Sequence, residues 1–378
     1  MNPSRSRKGV RFAGQLLCWA VAGVALAFLG LNASPAVAQV TAAGPSAPIP
    51  GASATANANT NAADSKQPER GISEWLVRMH EGSRKRAYVG TFVVSSSNSM
   101  SSSRIWHVCD GDQQMERVEA LTGAPRSTIR RNDEIITFHA DSKVALSEKR
   151  ESSGVFAAAI KANHASLAQF YAARHLGVER VAGNEADVVL LQPKDKLRFG
   201  YRVWSERKSG LVIKLQTLDT DGRVLEQAAY SELQLDAPVS MSKLSQMMAN
   251  LDGYRLVKSD LQKTTALAEG WQLRSQTPGY TPMNCYKRLV AKSDGSSTDT
   301  AMQWIFSDGL ASVSLFVEAF DRRRHIQEGQ AASGATHSIT RRFVDRAGEQ
   351  AGEWWLTVVG EVPVPVLLGF AQSLERKK

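Results

Sequence analysis

The chain has 378 residues, of which 43% are hydrophobic and 22% are charged, and its formal net charge is +9. This length and apolar content allow buried cores in two ordinary domains, and a single domain of this size would be unusual. The positive excess is modest for the length, so the composition does not indicate a nucleic-acid-binding protein.

The amino terminus has the layout of a cleavable secretory signal peptide over residues 1–38. Basic residues precede an apolar run over 16–31, and a small-residue site follows the run. This order predicts export and cleavage between Ala38 and Gln39. A retained membrane anchor is the alternative, although the run is short for a membrane span. Residues 39–70 are rich in Ala, Ser, Asn and Pro and have little to bury, which predicts a disordered leader.

Two helices are predicted in the first folded region, which begins near Gly71. Apolar residues of the first helix recur at helical spacing and share one face. They are Ile72, Trp75, Leu76 and Met79. The second helix is predicted over 164–176, where apolar residues recur again, and Gly177 is predicted to end it.

Short segments rich in β-branched and aromatic residues, separated by turns of Asp, Asn and Gly, predict the strands of this region. The segments are 88–94, 104–110, 113–120, 134–139, 143–149, 186–192, 198–206, 211–218 and 223–235. Short connections between consecutive strands predict an antiparallel meander. Such a sheet, with helices on its concave face, forms an unclosed half-barrel with an apolar groove, so residues 71–236 are predicted to be a binding domain.

Aromatic side chains within these strands have two interpretations. They are Tyr88, Phe92, Trp106, Phe138, Tyr201 and Trp204. A packed core and the wall of an apolar cavity give the same alternation in sequence, so periodicity does not separate the two roles. The six residues are therefore candidates for the lining of the groove as well as for its core.

A connecting segment is predicted over 237–266, where the strand pattern weakens and the composition permits a partly helical linker. A second, smaller α+β unit over 267–378 follows, with a closing helix after Pro363. Its predicted strands are 286–291, 301–307, 311–320, 336–343 and 353–360.

The strongest hairpin signal of this second unit is the turn Ser307-Asp308-Gly309 between two apolar strands. Side chains alternate across a sheet, so Trp304 and Phe306 are predicted to point the same way. Together with Leu310 they are the candidate residues for contact with a partner or with the first domain.

The sequence contains no recognisable pattern of catalytic or metal-binding residues. The histidines form no His-x-x-x-His pair, and no nucleophile elbow, phosphate loop or dinucleotide fingerprint occurs. We therefore predict a binding protein that is not an enzyme, without a catalytic, cofactor or metal site. Cys109 and Cys285 either form a disulfide in an oxidising compartment or remain two free thiols.

Clustered basic residues occur at several places in the chain. The runs are Arg84-Lys85-Arg86, Arg130-Arg131, Arg322-Arg323-Arg324 and Arg341-Arg342. A solvated face is one interpretation, and contact with an acidic peptide or a lipid phosphate is the other.

Several blocks of sequence, spread from about Gly71 to the end of the chain, resemble the RseB/MucB family. The blocks include 84–93, 103–107, 121–126, 201–204, 221–227, 306–314 and 359–363. The members of this family are periplasmic regulators of the sigma-E envelope-stress response in proteobacteria. The resemblance implies an amino-terminal domain like the lipoprotein carriers LolA and LolB, and a smaller carboxy-terminal domain beside it.

The resemblance also implies a function in the periplasm. The family binds the periplasmic region of a transmembrane anti-sigma factor, RseA-like or MucA-like, and shields it from regulated proteolysis. Lipopolysaccharide or lipid acyl chains are the implied releasing signal, which would occupy the aromatic-lined groove. A homodimer is compatible with this interpretation, and nucleic acid is not an expected partner. A lipid or lipoprotein carrier of the LolA type is the alternative, and it does not account for the carboxy-terminal domain.

Overall fold

The first of two main sheets contains twelve strands in the computed structural model, which describes residues 70–96, 99–149, 164–258, 261–291, 298–345 and 352–377. The strands are β1 (Tyr88–Ser96), β2 (Ser99–Asp110), β3 (Gln113–Ala120), β4 (Arg126–Arg131), β5 (Glu134–His139), β6 (Val144–Lys149), β7 (Tyr171–Val181), β8 (Asn184–Pro193), β9 (Gly200–Glu206), β10 (Val212–Leu218), β11 (Val224–Leu235) and β12 (Arg255–Lys258). The predicted signal peptide, its cleavage site at Ala38 and Gln39, and the leader up to residue 69 lie outside the described residues.

The order of strands across this sheet is β12-β6-β5-β4-β3-β2-β1-β11-β10-β9-β8-β7. Neighbouring strands are antiparallel, except that β12 runs parallel to β6. The two outer strands, β12 and β7, do not pair with each other, so the sheet is unclosed. The predicted α+β fold with an unclosed meander in its first part is confirmed.

The helices of the described residues are α1 (Ile72–Arg84), α2 (His164–Phe170), α3 (Met241–Ala249) and α4 (Val364–Ser373). Helix α1 buries the predicted apolar stripe in one cluster with Tyr201 and Val203 of β9. Its first turn is held by Glu74, whose carboxylate accepts the Gly71 N–H at 3.1 Å. Gly82 lets α1 approach the turn after β9, because a Cβ there would lie 2.4 Å from the backbone carbon of Gly210.

The predicted second helix is too long. Helix α2 ends at Phe170, and Tyr171 begins β7, which pairs with β8 along its whole length. Gly177, predicted to end the helix, has a φ of +118° and lies at a bulge in β7. Pairing with β8 therefore overrides the local helical pattern, as tertiary structure often does. The sequence pattern also missed β4, which pairs with β3 and β5.

The segment predicted as a linker contributes to both sheets. Helix α3 buries Leu244 and Met248 in one cluster with Ile129 and Phe138, and β12 then extends the first sheet. The next strand, β13 (Leu261–Lys263), already belongs to the second sheet. The division of the chain at this segment stays a prediction.

The second main sheet has the order β13-β15-β16-β17-β20-β19-β18, and a separate pair joins β14 to β21. The strands of this sheet are β13, β15 (Thr281–Ala291), β16 (Thr298–Ser307), β17 (Ser312–Ala319), β18 (Gly329–Ser333), β19 (Thr336–Asp345) and β20 (Gly352–Gly360), and those of the separate pair are β14 (Trp271–Leu273) and β21 (Leu374–Arg376). The strands predicted for this unit and its closing helix, α4, are confirmed. Helix α4 packs on β19 and β20 and buries Leu367 and Phe370.

Candidate functional site

Five of the six candidate lining aromatics divide among several buried clusters. Tyr88, Phe92 and Trp204 share one buried cluster, Tyr201 packs in the cluster beneath α1, and Phe138 packs beneath α3. Trp106 is half-buried outside these clusters. Its ring lies between two guanidinium groups, those of Arg104 at 5.4 Å and Arg117 at 5.0 Å. Lipid contact at any of the six residues stays a prediction.

The three candidate contact residues of the second unit divide between two environments. The rings of Trp304 and Phe306 are 4.6 Å apart and pack in the core of the second sheet, so the predicted shared direction is confirmed. Leu310 instead lies in the buried cluster of the first sheet, with Ile72 and Leu76. The turn that the sequence identified as a hairpin is therefore inserted against the first sheet.

A buried ion pair lies beside Leu310 at the junction between the two sheets. Arg198 precedes β9 of the first sheet, Asp308 lies in the turn between β16 and β17, and both side chains are fully buried. The Arg198 Nε donates to Asp308 Oδ2 at 2.8 Å, and the Tyr171 hydroxyl donates to the same oxygen at 3.0 Å. The other oxygen, Oδ1, accepts the N–H groups of Leu310 at 2.9 Å and Ala311 at 2.8 Å.

Every group that these hydrogen bonds bring to the Asp308 carboxylate is a hydrogen-bond donor. A buried negative charge requires such donors in place of water. Burial raises the pKa of Asp308, while the bonds from Ala311, Leu310 and Arg198 lower it. Arg198 also donates two more hydrogen bonds, one to the Asp195 carboxylate and one to the Pro278 carbonyl, the latter at 2.7 Å. The junction is thus one connected polar network that both sheets share.

An apolar cavity of about 460 Å³ opens in the second sheet next to this junction. Its floor contains Tyr280, Trp304, Phe306 and Phe370. Tyr280 also contacts the loop that carries Arg198, between β8 and β9, because its hydroxyl donates to the Leu197 carbonyl at 3.2 Å. The cavity and the junction therefore share a wall.

Neither the junction nor the cavity could be found from sequence patterns. The bond between Arg198 and Asp308 spans 110 positions, and the bond from Tyr171 to Asp308 spans 137. The one local signal was the Ser307-Asp308-Gly309 turn, which marks where Asp308 lies but not what it contacts. The cavity joins residues from the predicted linker to those of the central strands, so no single periodic segment contains it.

The remaining candidates have structural contacts. Cys109 in β2 and Cys285 in β15 are both free thiols, and burial raises the pKa of Cys285 to about 11. In the first basic run, Arg86 pairs with Asp236 at 3.0 Å. Among the described residues, no group of three or more His, Cys, Asp or Glu is placed to hold a metal ion. None of the helices in the part of the chain that the structure describes is long and apolar enough to cross a membrane.

Two family models match the chain. The model described as MucB/RseB N-terminal domain matches residues 71–248, and the MucB/RseB C-terminal domain matches residues 265–375. The sigma factor AlgU regulatory protein MucB of Pseudomonas aeruginosa is 28% identical over 293 residues, which cover 77% of this chain and 87% of that protein. The sigma-E factor regulatory protein RseB of Escherichia coli K12 is 21% identical over 303 residues, covering 79% and 89%.

Solved structures with the same fold include MucB bound to another protein. The crystal structure of MucB in complex with MucA(peri) matches with a TM-score of 0.61 and 25% identity, covering 81% of this chain and 99% of that chain. The complex of Pseudomonas aeruginosa MucA and MucB matches over the same shares, with a TM-score of 0.62 and 25% identity.

Proposed function

Because the chain belongs to the MucB/RseB family, we propose that it binds the periplasmic region of a transmembrane anti-sigma factor, RseA-like or MucA-like. Bound in this way, it shields that region from regulated proteolysis and so restrains the sigma-E stress response. The observation that carries the proposal is the match to MucB in complex with MucA(peri), which extends over 99% of the MucB chain. The two family matches include every strand of both sheets except β12 and β13.

The architecture supports a binding role that uses both sheets together. The buried pair of Arg198 and Asp308 and the apolar contact of Leu310 join the sheets, so a partner can lie across one continuous surface. Binding across two surfaces raises affinity beyond that of either one, provided their spacing is fixed. The predicted secretory signal over residues 1–38 supports a location in the periplasm.

Lipopolysaccharide or lipid acyl chains are proposed to trigger release of the partner. The predicted export signal supports a location where such molecules occur, and the structure contains an apolar cavity that shares a wall with the junction. A ligand that binds the free protein more tightly than the complex must lower the affinity for the partner.

A protection assay tests the proposed function. The predicted mature protein, residues 39–378, is titrated with the periplasmic region of the anti-sigma factor from the same genome. The protease that makes the first cut in that anti-sigma factor is then added. We expect saturable binding and slower cleavage, with a scrambled peptide of equal composition as the control. Binding without any change in cleavage would contradict the shielding role, and lipoprotein transfer between membranes without protection would favour the carrier alternative.

A further inference from the structure

The cavity in the second sheet has a continuous aromatic floor. Ring centroids are 4.6 Å apart for Trp304 and Phe306, 4.8 Å for Phe306 and Phe370, and 5.9 Å for Phe370 and Tyr280. Phe306, Phe370 and Tyr280 are buried, so core packing on their far side holds these rings in place. The floor is therefore a preformed apolar surface.

The cavity is open to solvent, and its size can be compared with that of known ligand sites. The volume of about 460 Å³ falls within the range of small-molecule sites.

The mouth of the cavity carries exposed apolar side chains. Leu267 and Met283 both line it, and they are 54% and 42% exposed. Two large apolar residues at one opening form a rim that an apolar ligand would cover. Polar residues such as Thr264, Gln276 and Asn284 also border the cavity. The inner space thus suits an apolar group, and the border suits a polar one.

Lys263, which is exposed, is the one charged residue that lines the cavity, and the aromatic floor itself carries no charge. Cys285 is the one thiol among the lining residues, and burial raises its pKa to about 11, so it stays protonated. A ligand with a charged inner end would lose its hydration on this floor without gaining an opposite charge or a hydrogen bond. The inner end of the ligand must therefore be uncharged.

From these observations we propose that this cavity binds one acyl chain of an amphiphile, with the polar head group at the rim near Thr264 and Asn284. The inference rests on the proposed lipid-triggered release. It assigns the lipid to a cavity in the second sheet, whereas the sequence predicted a groove lined by aromatic residues of the first sheet. The acyl chain is the shared chemistry of lipopolysaccharide, phospholipids and lipoproteins.

Calorimetry with the full mature chain tests the site. The probe is a lysophospholipid with one myristoyl chain, used below its micelle concentration, and lipopolysaccharide is the second arm. We expect saturable binding of one probe per protein, and competition by lipopolysaccharide only if its acyl chains use the same cavity. The double variant Leu267→Asp, Met283→Asp should weaken probe binding by about tenfold or more.

The control variant is Ile326→Asp, which removes an apolar side chain that is 87% exposed and does not line the cavity. It should bind the probe like the unmodified protein. All three substituted residues are exposed, so the folds should survive, as matching thermal melts will verify.

The outcomes separate this inference from the proposed function. If the unmodified protein binds the probe and the double variant binds it equally well, the cavity is not the site, while lipid sensing stands. If no probe or lipopolysaccharide binds although the anti-sigma region is protected, the cavity assignment and lipid release both fail and the shielding role stands. If the double variant loses affinity for the anti-sigma region but not for the probe, the cavity holds a peptide side chain and the acyl assignment is wrong.

Discussion

The Nε of Arg198 donates to Oδ2 of Asp308 across the junction of the two sheets, at 2.8 Å and with both side chains fully shielded from solvent. Such a pair is costly to desolvate, and what stabilises it here is that the neighbouring groups supply the remaining donors and acceptors. Arg198 also stacks on two rings, those of Phe170 at 4.1 Å and Tyr280 at 5.1 Å. The pair therefore fixes how the sheets meet, in addition to any contribution to stability.

We predict that Asp308→Asn destabilises the protein by about 3–5 kcal/mol, the usual range when one partner of a buried ion pair is lost. The amide oxygen can still accept from Leu310 and Ala311, but the amide NH2 would then face the donors of Arg198 and Tyr171. Denaturant unfolding measures the change. Asp221→Asn, in an exposed pair with Arg223, is the control and should leave the free energy of unfolding almost unchanged. A cost for Asp308→Asn no larger than for the control would show that the pair is not a structural constraint.

The second prediction concerns the turn that carries Asp308. Gly309 has a φ of +104°, a region that a β-branched residue adopts only with strain, and its N–H is held by the Ser307 hydroxyl at 2.9 Å. Gly309→Val should therefore cost roughly 1–3 kcal/mol or more and lower the melting temperature. Gly329→Val is the matched control, because a Cβ there meets nothing within 4 Å and its φ is not positive. Equal melting temperatures for the two variants would contradict this account of the turn.

The third prediction concerns pH and rests on Glu116 of β3. Burial raises the pKa of Glu116 to about 7, and the opposing effect of Arg130 is smaller. An acid whose pKa is higher in the folded state than in the unfolded state binds its proton more tightly when folded. Stability from this group is therefore greatest below about pH 4.5 and is lost as the pH rises through 7.

Glu116→Gln should remove this loss. We expect the variant to exceed the unmodified protein in unfolding free energy by about 1–2 kcal/mol at pH 8, with a smaller difference at pH 5. His107, whose pKa is lowered by burial, lies opposite Glu116 on β2, so its titration also contributes to the pH dependence of both proteins. Glu119→Gln, on the same strand in a partly exposed ion pair, is the control. A difference that does not depend on pH would show that Glu116 is not responsible.

Local patterns predicted most of the elements, and contacts between distant segments account for the failures. The apolar stripe of α1 and the turn before Gly309 are encoded within a few residues, so both could be identified. The helical pattern includes Tyr171, which the structure places in β7. Its strand partner lies in β8, beyond the range of any periodic pattern. Five of the six aromatic candidates are divided among different clusters. The sequence does not reveal this division, because it depends on the order of all the strands in the sheet.

The last prediction links the cavity to the junction, and it rests on both proposals above. Tyr280 forms part of the cavity floor, and its hydroxyl donates to the carbonyl of Leu197, in the loop between β8 and β9, at 3.2 Å. Tyr280→Phe keeps the apolar wall and removes this bond, so the lysophospholipid should bind within about twofold of its unmodified affinity.

The change should appear in the coupling between the two ligands. In the unmodified protein, the probe should lower affinity for the anti-sigma region, and that region should lower affinity for the probe by the same factor, as linkage requires. In Tyr280→Phe that factor should fall towards one, because a ligand in the cavity no longer acts on Leu197 through a hydrogen bond. Tyr254→Phe is the control, since Tyr254 packs against Phe138 and does not line the cavity. If the coupling factor is the same in all three proteins, the signal does not pass through Tyr280, and the shared wall is only a packing contact.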